Sequence, residues 1–202
     1  MNYKLICIGR QLGSGGRVIA QAVAKALSYK FYDKEILNLA AKESGFSEKY
    51  FEQNDENKGF FKSLFHQPVA QLNNISFYGN NFSQENLFQF QSDAIKKAAA
   101  EDNCVFVGRC ADYILRDEPH LVNIFITADI DWRAEQVMKR HQCSKDEALK
   151  IIHNEESKRS SYYNYYTGKR WGDAASYDLC INSSLLGLEK TTEFIVNFIR
   201  ER

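Results

Sequence analysis

Residues 9–17 read Gly9-Arg-Gln-Leu-Gly-Ser-Gly-Gly-Arg17, with four glycines among nine residues. Gly13, Gly15 and Gly16 permit positive φ and let the backbone come close to a ligand. The segment sits between a short apolar run and a helical pattern. Successive N–H groups in such a turn, with the N-terminus of the helix that follows, form an anion site. Gly13, Ser14, Gly15 and Gly16 are therefore the candidate phosphate-binding residues, and Arg17 opens the helix with a positive charge. The loop departs from the GxxxxGK[ST] pattern, in which lysine reaches the outer phosphates and a hydroxyl meets magnesium. Aligned on Gly13-Ser14-Gly15, Arg10 stands at the first glycine, Gly16 at the lysine and Arg17 at the hydroxyl. Arg17 is placed to return the lysine's charge from the next position, and Ser14 is the only hydroxyl left in the loop.

A second chemistry-bearing stretch, Lys158 to Asp173, combines four tyrosines, a tryptophan and four cations. It follows a helix opened by a capping box, Ser144 with Glu147, which turns Ala148, Ile151 and Ile152 inward. Two readings fit: a lid closing over an anionic ligand, or an irregular connection covering a sheet. Other chemistries find less support. His66, His120, His141 and His153 are scattered without metal-ligand spacing, and no metal site is expected from them. Cys7, Cys104 and Cys180 fall inside expected strands and read as small core residues. Ser14 lacks the outer glycines of a GxSxG nucleophile elbow.

The elements that position these residues alternate along the chain. Lys4 to Gly9 reads as a strand buried on both faces, followed by a helix with Ile19, Ala22, Val23, Ala26 and Leu27 on one stripe. Strands are expected at Cys104 to Gly108, Leu121 to Thr127 and Asp178 to Asn182. Helices are expected near Ala111 to Arg116, from Trp132 to His141, and through Phe194 to Ile199. Strand, turn and helix repeated in this way predict a doubly wound parallel α/β sheet, with ligands beyond the carboxyl ends of its strands. Residues 52–92 break the rhythm: they hold thirteen of the twenty-five Asn and Gln and seven of the fourteen Phe. They read as a mostly helical inserted lobe, with a disordered loop as the alternative.

Composition bounds the partners. The chain has 202 residues, 44% hydrophobic and 26% charged, and only two prolines, which is a globular composition. Twenty-six Lys and Arg balance twenty-six Asp and Glu, which argues against a long nucleic acid or a polybasic membrane contact. No apolar run approaches the roughly 18 residues of a membrane helix. The N-terminus does not read as a signal peptide, and five cysteines without CxxC fit a reducing compartment, so a cytoplasmic location is expected.

Several motifs together resemble the cytidylate kinase-like family, a branch of the P-loop nucleoside monophosphate kinases. They are the variant loop RQxGSGGR at Arg10 to Arg17, Phe31 to Leu37, Val107 to Leu115, and Phe125 to Ala128. Tyr162-Tyr163, Thr167-Gly168, Trp171-Gly172 and Tyr177 to Asn182 complete the set. The resemblance covers nearly the whole chain outside residues 52–92. It implies one kinase-like domain over 1–202, of three α/β/α layers around a five-stranded parallel sheet. An acceptor-binding helical lobe would lie near 33–100 and a lid near 158–173.

The same resemblance assigns roles. The family's acceptor-holding aspartate corresponds to Asp33, for which the competing reading is an N-cap of a helix beginning near Lys34. The arginine of the GRD motif, which grips the acceptor's phosphate, corresponds to Arg109, while Cys110 replaces the motif's aspartate. In the RDxxDxxR motif, Glu156 and Arg159 match and the leading arginine is absent; a Glu155–Arg159 surface pair is the alternative. Arg133 matches the RA pair that opens a helix after the fourth strand. Arg17, Arg159 and Arg133 are thus the expected catalytic cations, Gly13 to Arg17 the ATP site, and Asp33 with Arg109 the acceptor site. The implied reaction is phosphoryl transfer from ATP to a small acceptor, a nucleoside monophosphate such as CMP or dCMP. Magnesium would be held mainly by the phosphates and water. Two other readings stay open: a catalytically weak nucleotide-binding regulator, and a kinase of a different small metabolite.

Overall fold

The computed structural model describes residues 4–33 and 84–201. The expected helix after Asp33 and most of the Asn/Gln/Phe-rich stretch lie outside the described residues. The chain divides into two units, residues 1–34 with 95–202, and residues 35–94.

The first unit is built on five strands: β1 (Leu5–Arg10), β2 (Lys30–Tyr32), β3 (Cys104–Val107), β4 (Leu121–Thr127) and β5 (Leu179–Asn182). All neighbours pair in parallel, in the order β2-β3-β1-β4-β5. Central β1 is flanked on both sides, Leu5 standing opposite Cys104 on β3 and Leu121 on β4. A strand covered on both faces needs apolar residues at every position. The run Leu5, Ile6, Cys7 and Ile8 supplies them and is buried throughout.

Between the strands lie α1 (Gly16–Leu27), α2 (Gln84–Glu101), α3 (Ala111–Ile114), α4 (Ile130–His141) and α5 (Lys145–Thr167), and α6 (Ser183–Arg200) follows β5. Helices α1 and α6 share one core with the sheet, in which Ile19, Val23, Ile195 and Ile199 are almost wholly enclosed. Each such side chain contributes about 1.5–3 kcal/mol relative to exposure. A second cluster, Ala134 and Val137 with Ala148 and Ile152, joins α4 to α5. Of the unit formed by residues 35–94, the described part is the beginning of α2. There Ser92 Oγ donates to the Phe88 carbonyl at 2.8 Å and Gln89 Nε2 donates to Asp93 Oδ1 at 2.9 Å.

Three expectations shift. The buried stripe of α1 is Ile19, Ala20, Val23 and Ala24, so Ala26 faces solvent. The helix packs against α6 as well as the sheet, and the two contacts rotate its apolar face by part of a turn. Cys180 is exposed rather than a core residue. It lies on β5, the last strand of the sheet, where Ile181 takes the inward position. Residues 158–167 are helical, because α5 runs unbroken from its capping box until Gly168 closes it in the left-handed conformation. No glycine or proline interrupts the chain from Ser144 to Thr167, so nothing stops the helix earlier.

Candidate active site

The glycine loop connects β1 to α1. Gly13 has φ 82° and Gly15 φ 73°, the left-handed region that favours glycine. A Cβ at position 13 would lie 2.6 Å from the Arg133 carbonyl, so α4 approaches the loop as closely as a bare backbone permits. Gly15 is the N-cap of α1 and offers no capping side chain, and the first turn carries no acid. The N–H groups opening a helix have no intrahelical acceptor. With no capping side chain and no acid within the first turn, they are set to receive an anion.

The rest of the loop is anchored by the protein itself. Gln11 N donates to the Ile126 carbonyl at 3.0 Å, and Leu12 N donates to Glu156 Oε1 at 3.1 Å. Ser14 is fully enclosed; its hydroxyl donates to the Gln11 carbonyl at 2.9 Å, while Ser183 Oγ donates to the Ser14 carbonyl at 2.7 Å. Glu156 Oε1 also receives Arg133 NH1 at 2.6 Å, a partly buried ion pair that joins α4 to α5.

Beyond the carboxyl ends of β1 and β3 lies a cavity bordered by Arg10, Arg109, Arg159, Asp112, Tyr162 and Tyr177. Arg10 is the last residue of β1. Arg109, two residues past β3, adopts φ 58° and lays its guanidinium over the Tyr162 ring at 4.7 Å. Arg159, from α5, donates through NH1 to the Arg10 carbonyl at 3.3 Å. Burial, then the like charges of Arg159 and Arg109, hold Arg10 below the ordinary arginine range; burial chiefly lowers Arg159 as well. A guanidinium keeps its proton across physiological pH. The shifts therefore express chiefly the cost of burying these cations, to which like charge adds at Arg10, and which a bound anion relieves.

The cavity wall is aromatic and acidic. Tyr163 donates to Asp112 Oδ2 at 2.6 Å, and burial pushes both groups above their usual pKa. Burial, then Asp112, raises the Cys110 thiol to about 12, so it stays protonated and unreactive. Phe125 meets Trp171 edge-on at 5.4 Å and Tyr177 at 5.0 Å.

The structure divides the expected cations between different partners. Arg109 and Arg159 converge, together with Arg10. Arg17 lies beside Asp33, donating through Nε at 2.9 Å and NH2 at 2.6 Å to Oδ2. Arg133 is turned to Glu156, and its buried Nε has no acceptor among the described residues. In the sequence Arg10 belongs to the loop motif and lies beside a phosphate-facing turn; in the structure it is the last residue of a central strand and borders the cavity. Asp112 and Tyr163 carried no separate signal, because they meet across 51 residues.

A parallel sheet in this order, a glycine loop between its first strand and first helix, and cations at the strand ends define a P-loop-kinase type of α/β protein. Solved structures agree at the level of fold. A protein from Eubacterium ventriosum ATCC 27560 matches with TM-score 0.76 and 27% identity, over 99% of this chain and 100% of that one. Shikimate kinase from Bacteroides thetaiotaomicron matches with TM-score 0.57 and 14% identity, over 98% of each chain. The chain belongs to the cytidylate kinase-like family, whose model matches residues 5–185. Among named relatives, the cytidylate kinase of Sulfolobus acidocaldarius is 27% identical over 144 residues, 69% of this chain and 78% of that protein. That of Pyrococcus horikoshii is 39% identical over 89 residues; the match spans 44% of this chain and less than half, 45%, of that protein.

Proposed function

We propose that this protein transfers a phosphoryl group from ATP to a small acceptor, a nucleoside monophosphate such as CMP or dCMP. The observation that carries this reading is the convergence of Arg10, Arg109 and Arg159 on one cavity beside the glycine loop. Phosphoryl transfer asks a protein for positioning and for charge neutralisation more than for a covalent residue. Backbone amides and guanidinium groups held in a partly dry site do both without reorganising during the reaction.

In this reading Gly13, Ser14, Gly15 and Gly16 present backbone to the donor phosphates, and Arg17 adds charge at the start of α1. Arg109, stacked on Tyr162, holds the acceptor's phosphate through its planar fork. Arg159 neutralises the moving phosphoryl group. Asp33 orients Arg17 and faces the acceptor. Arg133 acts through Glu156, which fixes Leu12 and so the register of the loop. The relatives named cytidylate kinase support the acceptor class.

The Ser14 hydroxyl is turned inward onto Gln11 and does not fit a magnesium ligand. Among the described residues no cluster of His, Cys, Asp and Glu offers a metal site either. Magnesium is therefore proposed to enter as part of the Mg–ATP substrate, held by phosphate and water. Small nucleotides are the proposed partners, and the cytoplasm the proposed location; no described helix is long and apolar enough to cross a membrane.

The test is phosphorus NMR of the purified protein with ATP, magnesium and a panel of nucleoside monophosphates and small alcohols. A new diphosphate signal with CMP or dCMP is expected. ATP binding without product from any acceptor would overturn the kinase reading, and product only from a non-nucleotide would overturn the acceptor class.

A further inference from the structure

The glycine at position 16 poses a question that the loop pattern alone leaves open: why this family member's loop lacks a side chain where a phosphate loop carries lysine. A Cβ on Gly16 would lie 2.5 Å from Cβ and 3.0 Å from Cγ of Arg10. A Cβ on Gly108, which has φ 71°, would overlap Arg10 NH1. Arg10 therefore runs from the end of β1 across the bare first residue of α1 to the bare turn after β3. Two glycines from distant parts of the chain make room for one side chain, Gly16 for its stem and Gly108 for its guanidinium. Among the described residues no carboxylate forms an ion pair with it. The charges acting on it are Arg159 and Arg109 first, with Asp33 opposing them more weakly. A cation lodged among cations in a glycine-lined slot is costly to folding, and the slot opens on the phosphate-facing cavity.

We infer that Arg10 occupies the space and performs the role of the missing loop lysine, its guanidinium meeting the outer phosphates of the donor nucleotide. The inference rests on the kinase reading for its ligand, and it moves the lysine's role away from Arg17. Arg17 sits more than half exposed, at 55%, with two nitrogens on Asp33. Position 10 is the first glycine of the usual pattern and position 16 its lysine. The two residues thus look like a reciprocal exchange: a side chain at 10 and none at 16, against none at 10 and a side chain at 16.

The exchange can be reversed. The variants are Arg10→Met, Arg10→Gly, Gly16→Lys, the double Arg10→Gly/Gly16→Lys, and Arg17→Ala for comparison. Each is measured for ATP affinity by calorimetry, for turnover with the best acceptor, and for Tm. Losing one preorganised charge costs about 10²–10³ in turnover, so Arg10→Met is expected to fall by that factor and to bind ATP at least about tenfold more weakly. Its Tm should equal or exceed that of the parent, because a crowded cation has been removed. Gly16→Lys alone should be impaired, since two side chains then compete for one space. The double variant should recover at least about tenfold of what Arg10→Gly loses, which no purely structural role for Arg10 explains. Arg17→Ala should lose at least about tenfold less than Arg10→Met.

Arg10→Met within threefold of the parent in both affinity and turnover would overturn the inference. So would a double variant no better than Arg10→Gly, or a Tm loss in Arg10→Met that accounts for its inactivity. A parent protein that binds ATP but phosphorylates nothing would end the kinase reading alone; the ATP affinities of the same variants would still decide the role of Arg10. A parent that fails to bind ATP would overturn both.

Discussion

Glu156 is the residue whose removal tests the architecture of the site most directly. One carboxylate oxygen receives both Arg133 NH1 at 2.6 Å and Leu12 N at 3.1 Å. The paired side chains are 8% and 20% exposed, so solvent screens them little. Glu156→Ala leaves the Arg133 charge buried without its partner, which costs about 3–5 kcal/mol in comparable settings. The partial exposure of the glutamate favours the lower end, about 3 kcal/mol, and the orphaned Leu12 N–H adds about 1 kcal/mol. For a chain of this length each kcal/mol is worth about 2–4 °C, so Tm should fall by roughly 8–16 °C. Arg133→Met alone should cost less, because Glu156 keeps Leu12 and reaches solvent. The double variant Glu156→Ala/Arg133→Met should recover the part of the loss that comes from the orphaned Arg133 charge, with a coupling energy of at least about 1.5 kcal/mol. Urea unfolding of the four proteins gives the cycle, and ATP calorimetry on the same samples reads whether the loop has lost its register. A Glu156→Ala protein within about 1 kcal/mol of the parent, or an additive cycle, would refute the claim that this pair holds the loop.

Three further outcomes follow from the same structure. Burial holds the Asp112 carboxyl above its usual 3.8, with the Tyr163 hydrogen bond offsetting part of the shift. Such a group favours the folded state only while protonated, and that contribution is lost as pH rises through its folded pKa; Asp112→Asn should therefore match the parent near pH 4 and become the more stable protein toward about pH 7. An unchanged stability difference across that range would contradict the assignment. Pulsed alkylation with mass spectrometry should label exposed Cys180 first and partly buried Cys143 next, leaving Cys7, Cys104 and Cys110 until unfolding. Burial and Asp173 raise the Cys180 thiol, so its labelling should accelerate further at alkaline pH. Ser144→Ala removes the hydroxyl that accepts from Glu147 N at the start of α5, for an expected loss of about 1 kcal/mol by thermal unfolding.

Much of this molecule was legible in local pattern. The strands at Cys104–Val107 and Leu121–Thr127 follow from apolar runs bounded by turns, and the glycine loop falls between β1 and α1 where such loops bind phosphate. The capping box at Ser144 marks the start of α5, and the next glycine, Gly168, marks its end. Where the reading of pattern slipped, neighbours in space were responsible. The face of α1 turned because α6 packs beside it, and Cys180 surfaced because β5 ends the sheet. Neither fact is encoded within a window of a few residues.

The amino-acid order by itself determined which residues carry charge, where the backbone is free to turn, and that a parallel sheet would gather its turns at one edge. Only the tertiary structure decided which cation meets which partner. Arg10 and Gly108 stand together because strand order sets β3 beside β1, with Gly108 N donating to the Ile8 carbonyl at 3.1 Å. Arg17 found Asp33 at the end of β2, and Arg133 found Glu156 on α5. A guanidinium reaches only a few ångströms beyond its own backbone, so its role depends on what the fold brings within that radius. Sequence spacing does not measure that distance.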